Sequence, residues 1–297
     1  MEKLETMAYK MEPAGHEEPS PRRKYPTPDR RLAEAFENWL NISIDTWGRD
    51  NLQFFARYVI RDLDVIAEEA HALLLSNQNH QNIKHAAFFL SAAYNKQPQK
   101  NITFDINFPL ENFGCGLKKE KVLVVLTDTM GSLGENSQGT ILNYGTTRWQ
   151  TGMSNQGLLV NYGEALSDFG QKTAGVTINL SKIDNYPVTD CQGYVINYGK
   201  IPEQRQKFVD YILRDKSRNA WKQFEIRNCI IDHMMAHEQK KIPELWEYLI
   251  ELRTKFEPGK QDYNKALAAL ETLGQEPAKT IKTKIDDIFR RHGYDVA

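Results

Sequence analysis

From Thr103 to Lys200 the chain repeats itself every 18 residues, and a period of that length restricts it to an architecture of short units stacked on one another. The units begin at Thr103, Lys121, Gly139, Gly157, Gly175 and Gly193. Their fifth positions are Asn107, Val125, Asn143, Asn161, Asn179 and Asn197, five asparagines in six places. The fourth positions are aliphatic throughout, and the sixth are Phe108, Leu126, Tyr144, Tyr162, Leu180 and Tyr198. Gly116, Gly134, Gly152 and Gly170 recur at the fourteenth before the pattern degrades to Val188.

A unit such as Gly157 to Gly163 has the aliphatic and β-branched character of a short strand bounded by glycines. Alone it buries nothing. Stacked at roughly 4.8 Å per turn, six units predict a rod on the order of 30 Å long with like residues over like. The column Asn107, Asn143, Asn161, Asn179 and Asn197 is then a structural ladder of side-chain amides. Gly139, Gly157, Gly175 and Gly193, with Gly145, Gly163 and Gly199 after the strands, are read as corners able to take positive φ. Tyr144, Tyr162 and Tyr198 form either an outward stripe suited to protein contact or part of the inner stack.

Gly139 to Gly145, followed by Gly152 to Gly157, resembles the glycine-repeat (GXGXG) β-helix at the C-terminus of the glutamate synthase large subunit, a domain also found in a formylmethanofuran dehydrogenase subunit. The resemblance covers about a third of the chain. It implies a right-handed β-helix that packs other domains together without catalytic residues of its own, and membership of a larger redox or amide-transfer complex. Val125, Val188 and Pro109 break its pattern, and no catalytic domain of those enzymes is recognisable in the flanks. The left-handed coil of hexapeptide acyltransferases also turns in 18 residues. Two of its three sides fit poorly here, because they begin with glycine where an inward aliphatic is needed. Those enzymes place a histidine near the coil as general base, and this chain has none between His85 and His233.

The flanks are helical in pattern. Residues 1–26 are polar and proline-bearing and predict a disordered tail. In the block 27–99, Thr27 reads as an N-cap with Pro28 at the first helical position, and Leu32, Phe36, Trp39 and Leu40 form an apolar face. Asn51 to Ser76 reads as one longer helix. A third runs to about Asn95 with Ala86, Phe89, Leu90 and Ala93 inward, and the block is expected to cap the first turn of the coil 100–200. The block 201–297 carries helical spacing through Phe208, Ile212, Ala220, Phe224 and Ile231, then Leu245, Leu249 and Leu252, and last Ile281, Ile285, Ile288 and Phe289. The fold class expected is α+β, a central β-solenoid flanked by helical blocks.

Chemistry is sparsely signalled. Cys229, His233 and His237 would fall at i, i+4 and i+8 on one helix, which makes them weak metal candidates, with Met234 where a zinc protease needs glutamate. Cys115 takes the place otherwise filled by Leu133, Thr151 and Phe169 and is read as an inward packing residue; His71 and His85 are assigned no role. There is no phosphate loop, dinucleotide fingerprint or nucleophile elbow. A net charge of −1 gives no footprint for nucleic acid, no apolar run is long enough to span a bilayer, and three scattered cysteines suit a reducing compartment. The expectation is a cytoplasmic scaffold or subunit without a cofactor, acting on a protein partner or on its own copies. The alternative is an enzyme, either an acyltransferase or a metal-dependent activity at the helix of His233 and His237.

Overall fold

The computed structural model describes residues 27–42, 48–65, 67–97, 101–104, 110–126, 128–129, 131–185, 193–199, 230–232, 242–256, 268–269, 272–273 and 277–293. Four helices come first: α1 (Arg30–Leu40), α2 (Gly48–Val59), α3 (Ala67–Ser76) and α4 (Ala86–Lys96). The N-cap of α1 is Asp29 and not Thr27: its side chain accepts from the N–H groups of Arg31 and Leu32, which leaves Pro28 just outside the helix. The single helix expected over Asn51 to Ser76 is two, α2 and α3. Lys96 draws the end of α2 away from helical continuation, its Nζ donating to the carbonyls of Ile60 (2.9 Å), Arg61 (2.7 Å) and Leu63. An ammonium placed there also complements the negative end of the helix dipole.

The third stretch of helix, α4, is buried along its whole length from Ala86 to Asn95, not on one side. It is the axis of the cap. Phe89 packs edge-on against Phe36 at 5.1 Å, and Trp39 donates through Nε1 to the carbonyl of His85. At its C-terminal end Asn95 grips the coil, donating to the carbonyl of Gly116 (2.9 Å) and accepting from the N–H of Lys118 (2.8 Å). The apolar core of these helices runs without a break into the lumen residues Phe113, Leu123, Ile141, Leu159 and Phe169.

A parallel β-solenoid of about four turns follows. Strands β1 (Asn101–Phe104), β2 (Val122–Val125), β3 (Thr140–Asn143), β4 (Leu158–Asn161), β6 (Val176–Asn179), β8 (Tyr194–Asn197) and β9 (Ile230–Asp232) form one seven-stranded parallel sheet; β5 (Ala165–Asp168) and β7 (Ile183–Asn185) pair on a second side. From β2 through β8 each pairing steps 18 residues, as in Val122 with Thr140 and Val176 with Tyr194. Bridges from Leu110 through Thr129 and Thr147 to Ala165, and from Phe113 through Leu133 to Thr151 and Phe169, add two more lines of pairing, so each rung has three sides.

The first rung departs from the period. Phe104, not Asn107, pairs with Val125, an offset of 21 residues. Phe113 pairs with Leu133, so Gly114 and not Gly116 takes the fourteenth position, while Cys115 packs inward in the apolar core as expected. Asn107 itself lies outside the described residues. Extra residues on this rung let it meet the cap, where no copy of itself lies beyond. At the other end Ile230 and Ile231 lie extended against β8 in place of the helix predicted there, since an unpaired strand edge and β-branched residues favour each other.

The glycines serve two distinct needs. Gly134, Gly152 and Gly170 have φ near +70° and make the sharp corner of each rung. Gly157, Gly175 and Gly193 are not among the positive-φ residues; their reason is space, since a Cβ on any of them would strike the carbonyl oxygen of the glycine one rung before.

Two further helices, α5 (Pro243–Phe256) and α6 (Pro277–Arg291), bury Leu245, Leu249, Leu252, Ile281, Ile285, Ile288 and Phe289 against the outer face of the sheet. Arg291 of α6 pairs with Glu244 of α5 at 2.8 Å.

Candidate functional site

The inner face of the sheet is a closed polar column. Asn143 donates to Asn161 (2.7 Å), Asn161 to Asn179 (2.7 Å) and Asn179 to Asn197 (2.8 Å). The second amide hydrogen of each goes to the carbonyl two residues on: Gly145, Gly163, Ser181 and Gly199. From Asn143 to Asn179 both amide hydrogens are used within the column, so these rungs have none left for a ligand. The ladder ends on an unmet acceptor. Asn143 Oδ1 is buried without a hydrogen-bond partner, because the rung before it offers Val125, which has no donor. Thr147, Asn155 and Thr173 continue the polar lining, with Asn155 bonded to Gly157, Val176 and Thr177.

The tyrosines of the sixth position point away from the lumen and lie under the chain's own helix. Tyr162 donates to the carbonyl of Leu249 (3.0 Å), Tyr144 stacks on Tyr162 with ring centroids 4.7 Å apart, and Tyr198 lies 5.2 Å from Trp246. Burial pushes the hydroxyl pKa values of Tyr144 and Tyr162 well above the ordinary tyrosine value and that of Tyr248 up to about 12. Tyr162 and Tyr198 are therefore internal packing residues and not a free stripe for a partner.

The open cavity with the most uneven chemistry lies where α2 and α4 cross the corners of the coil. This cleft of about 580 Å³ is lined by Arg57, Arg61, Lys96 and Lys118 and by the amides of Gln53, Asn95, Asn136, Gln138 and Gln156, with no carboxylate among the described residues that line it. Helical spacing brings Gln53 and Arg57 to one face of α2, with Arg61 in the turn just beyond its end, while Leu52, Ala56 and Ile60 are buried in the cap. α4 adds Asn95 and Lys96, and successive rungs of the coil supply the rest, Gln138 donating to Gln156 one 18-residue step on at 3.2 Å. Gly116 is glycine for a local reason as well as for its φ of +61°, since a Cβ there would run into the Gln53 amide. In the amide orientation that satisfies both neighbours, Gln53 Oε1 accepts from Arg57 Nη2 and from the Gly116 N–H, each at 3.2 Å.

Of the four cations, Lys96 is held by the carbonyls at the end of α2 and Arg61 by Asp62 at 3.1 Å. Arg61 also sits over the Tyr58 ring, 5.3 Å from its centroid. One residue round the helix from Gln53 and Arg57, Phe54 and Tyr58 remain 71% and 56% exposed. A second cleft, of about 460 Å³ beside α6, has mixed charge, with Lys119, Lys279 and Lys282 facing Glu120 and Asp286.

Motif searching misses the first cleft because its residues come from five separate parts of the chain. The trace it leaves is Phe54-x-x-x-Tyr58 interleaved with Arg57 and Arg61 on the polar side of an amphipathic helix. Among the other candidates, His85 faces Glu111 at 3.6 Å, and His71 and Cys115 are buried. Residues 230–232, between the candidates Cys229 and His233, are strand and not the helix on which that row was expected. Cys229, His233 and His237 themselves lie outside the described residues. No group of three or more potential metal ligands and no helix long and apolar enough to cross a membrane occurs among the described residues. Comparison of the chain with protein-family models, with curated proteins and with solved structures finds no match.

Proposed function

We propose that the chain is a non-catalytic structural and interaction module, a right-handed β-solenoid with 18-residue turns set between two helical blocks, which holds a protein partner in the cytoplasm. Right-handed winding follows the near-universal hand of parallel crossovers. A filled lumen and a buried amide ladder suit a stiff support, and both lie where a substrate has no access. The observation that carries the reading is on the surface. Phe54, Tyr58 and Trp149 are 71%, 56% and 61% exposed, in a protein that otherwise buries its large apolar side chains among the described residues. Exposed aromatics of this size are the anchors of protein interfaces.

The test is co-purification of the full chain from its host, with wild type beside a Phe54→Ser, Tyr58→Ser, Trp149→Ser variant. The reading expects a stoichiometric partner, or a second copy, that the variant loses while its stability stays within about 0.5 kcal/mol of wild type, as surface substitutions do. Recovery of the same partners by both proteins, or of none by wild type, overturns it.

A further inference from the structure

We propose that the cleft between α2, α4 and the coil corners receives an acidic, extended segment of a partner protein, whose carboxylates enter among Arg57, Arg61, Lys96 and Lys118 while its apolar residues rest on Phe54 and Tyr58. The proposal deepens the interaction reading and rests on it, naming what one docking face takes.

Charge complementarity selects the occupant. Four cations and five side-chain amides line the cleft with no carboxylate among its described lining, in a chain whose net charge is −1; Asp62 pairs with Arg61 at its edge, which leaves the charge to Arg57, Lys96 and Lys118. The positive field is thus local, matched to a few carboxylates and not to a continuous phosphate backbone, which calls for a basic stripe across a domain. Arg57 is pre-aimed. Its guanidinium is held against the Gly116 corner by Gln53, so a carboxylate meets a planar donor fork already fixed in place. Lys118 extends from the residue whose N–H is pinned by Asn95, on the opposite wall. The amides of Asn136 and Gln138 on one rung and of Gln156 on the next offer donors and acceptors to the segment's backbone. The aromatic pair lies at the rim on the same helix, tied to the cleft by the contact of Arg61 with the Tyr58 ring. An acidic peptide carrying leucine satisfies both halves of this surface. An oligonucleotide would also find cations and stacking rings, and is the competitor to exclude.

The experiment is fluorescence anisotropy with the full chain and three labelled probes: a peptide alternating Glu and Leu, the same peptide with Lys for Glu, and a single-stranded oligothymidylate of equal negative charge. The proposal expects saturable binding of the acidic peptide that weakens about tenfold between low and moderate salt, as screened charge pairs do. It expects no binding of the lysine peptide. Arg57→Gln with Lys118→Gln, both exposed positions, is expected to weaken binding at least tenfold with unchanged thermal melting, and Phe54→Ser with Tyr58→Ser to weaken it independently.

Tighter binding of the oligothymidylate, equal binding by the Arg57/Lys118 variant, or no binding of the acidic peptide at millimolar protein each overturns the proposal. If the acidic peptide fails while a co-purified partner is still lost in the aromatic variant, the acidic assignment falls and the interaction reading stands. If no partner is recovered and the acidic peptide still binds through Arg57 and Lys118, the ligand chemistry stands and the scaffold reading falls.

Discussion

On the inner face of the sheet Asn143, Asn161, Asn179 and Asn197 each meet a copy of themselves one rung away, while on the outer face Tyr144, Tyr162, Leu180 and Tyr198 meet helices that do not repeat. The same strands make both faces, yet one column keeps a single residue type and the other varies. The physical reason is the neighbour. An amide that donates upward and accepts from below is satisfied only by another amide at the same height, so any change strands two partners at once. A tyrosine under α5 needs a carbonyl within reach, and the helix gives each rung a different one, Leu249 for Tyr162 and Leu252 for Tyr144.

That difference makes the inner column the more fragile. Replacing Asn161 with Ala removes both of its ladder bonds and its bond to the Gly163 carbonyl, and leaves Asn179 Oδ1 buried and unmet. Denaturant unfolding is expected to show a loss of about 3–5 kcal/mol, the range of a broken buried polar network. A loss of under about 1 kcal/mol would mean that the ladder is decorative.

The outer face is expected to fail first in alkali. The hydroxyl pKa values of Tyr144, Tyr162 and Tyr248 are raised by burial, so the folded state holds protons that the unfolded chain releases above pH 10. Stability is therefore full below pH 10 and falls as pH rises, by about 1.4 kcal/mol per unit for each tyrosine that stays protonated. Tyr248 stops contributing to the slope near pH 12. Tyr162→Phe should make the decline shallower by one tyrosine's share. An unchanged slope in that variant would place Tyr162 in water.

The smallest effect sharpens the comparison most. Val125 stands where the ladder would gain one more rung, above the unmet Asn143 Oδ1. Val125→Asn supplies that acceptor with a donor and should cost less than about 1 kcal/mol, whereas Ile141→Asn, equally buried but off the ladder, should cost about 3 kcal/mol or more. Equal costs at the two sites would show that the column confers nothing specific.

The inner column was legible in the sequence for the same reason that it is fragile: a residue that must match its copies announces itself by repetition. Asn143 to Asn197 and the apolar faces of α5 and α6 could be read from spacing, whereas the positive-φ corners, read at Gly157, Gly175 and Gly193, fall instead at the recurring Gly134, Gly152 and Gly170. The first rung could not, because its neighbour is the cap: Phe104 pairs where the period put Asn107, three places away, and Gly114 stands where it put Gly116, two places away. Nor could the cover over Tyr162, since a helix more than 80 residues downstream carries no mark of the strand on which it lands. Arg57, Lys118 and Gln138 share a cleft through the fold alone, and only the exposed aromatics of α2 hinted at it.

The stacking of rungs 18 residues apart is tested most directly by cysteine pairs on the exposed corner where Gln138 bonds Gln156. Neighbouring rungs are about 4.8 Å apart, within the span of a disulfide, and alternate rungs are about twice that, beyond it. Under mild oxidation, with Cys115, Cys191 and Cys229 replaced, Gln138→Cys with Gln156→Cys should close an intramolecular disulfide in near-quantitative yield without loss of fold. Gln138→Cys with Ala174→Cys should stay reduced. A bridge between 138 and 174 in place of one between 138 and 156 would contradict the stack.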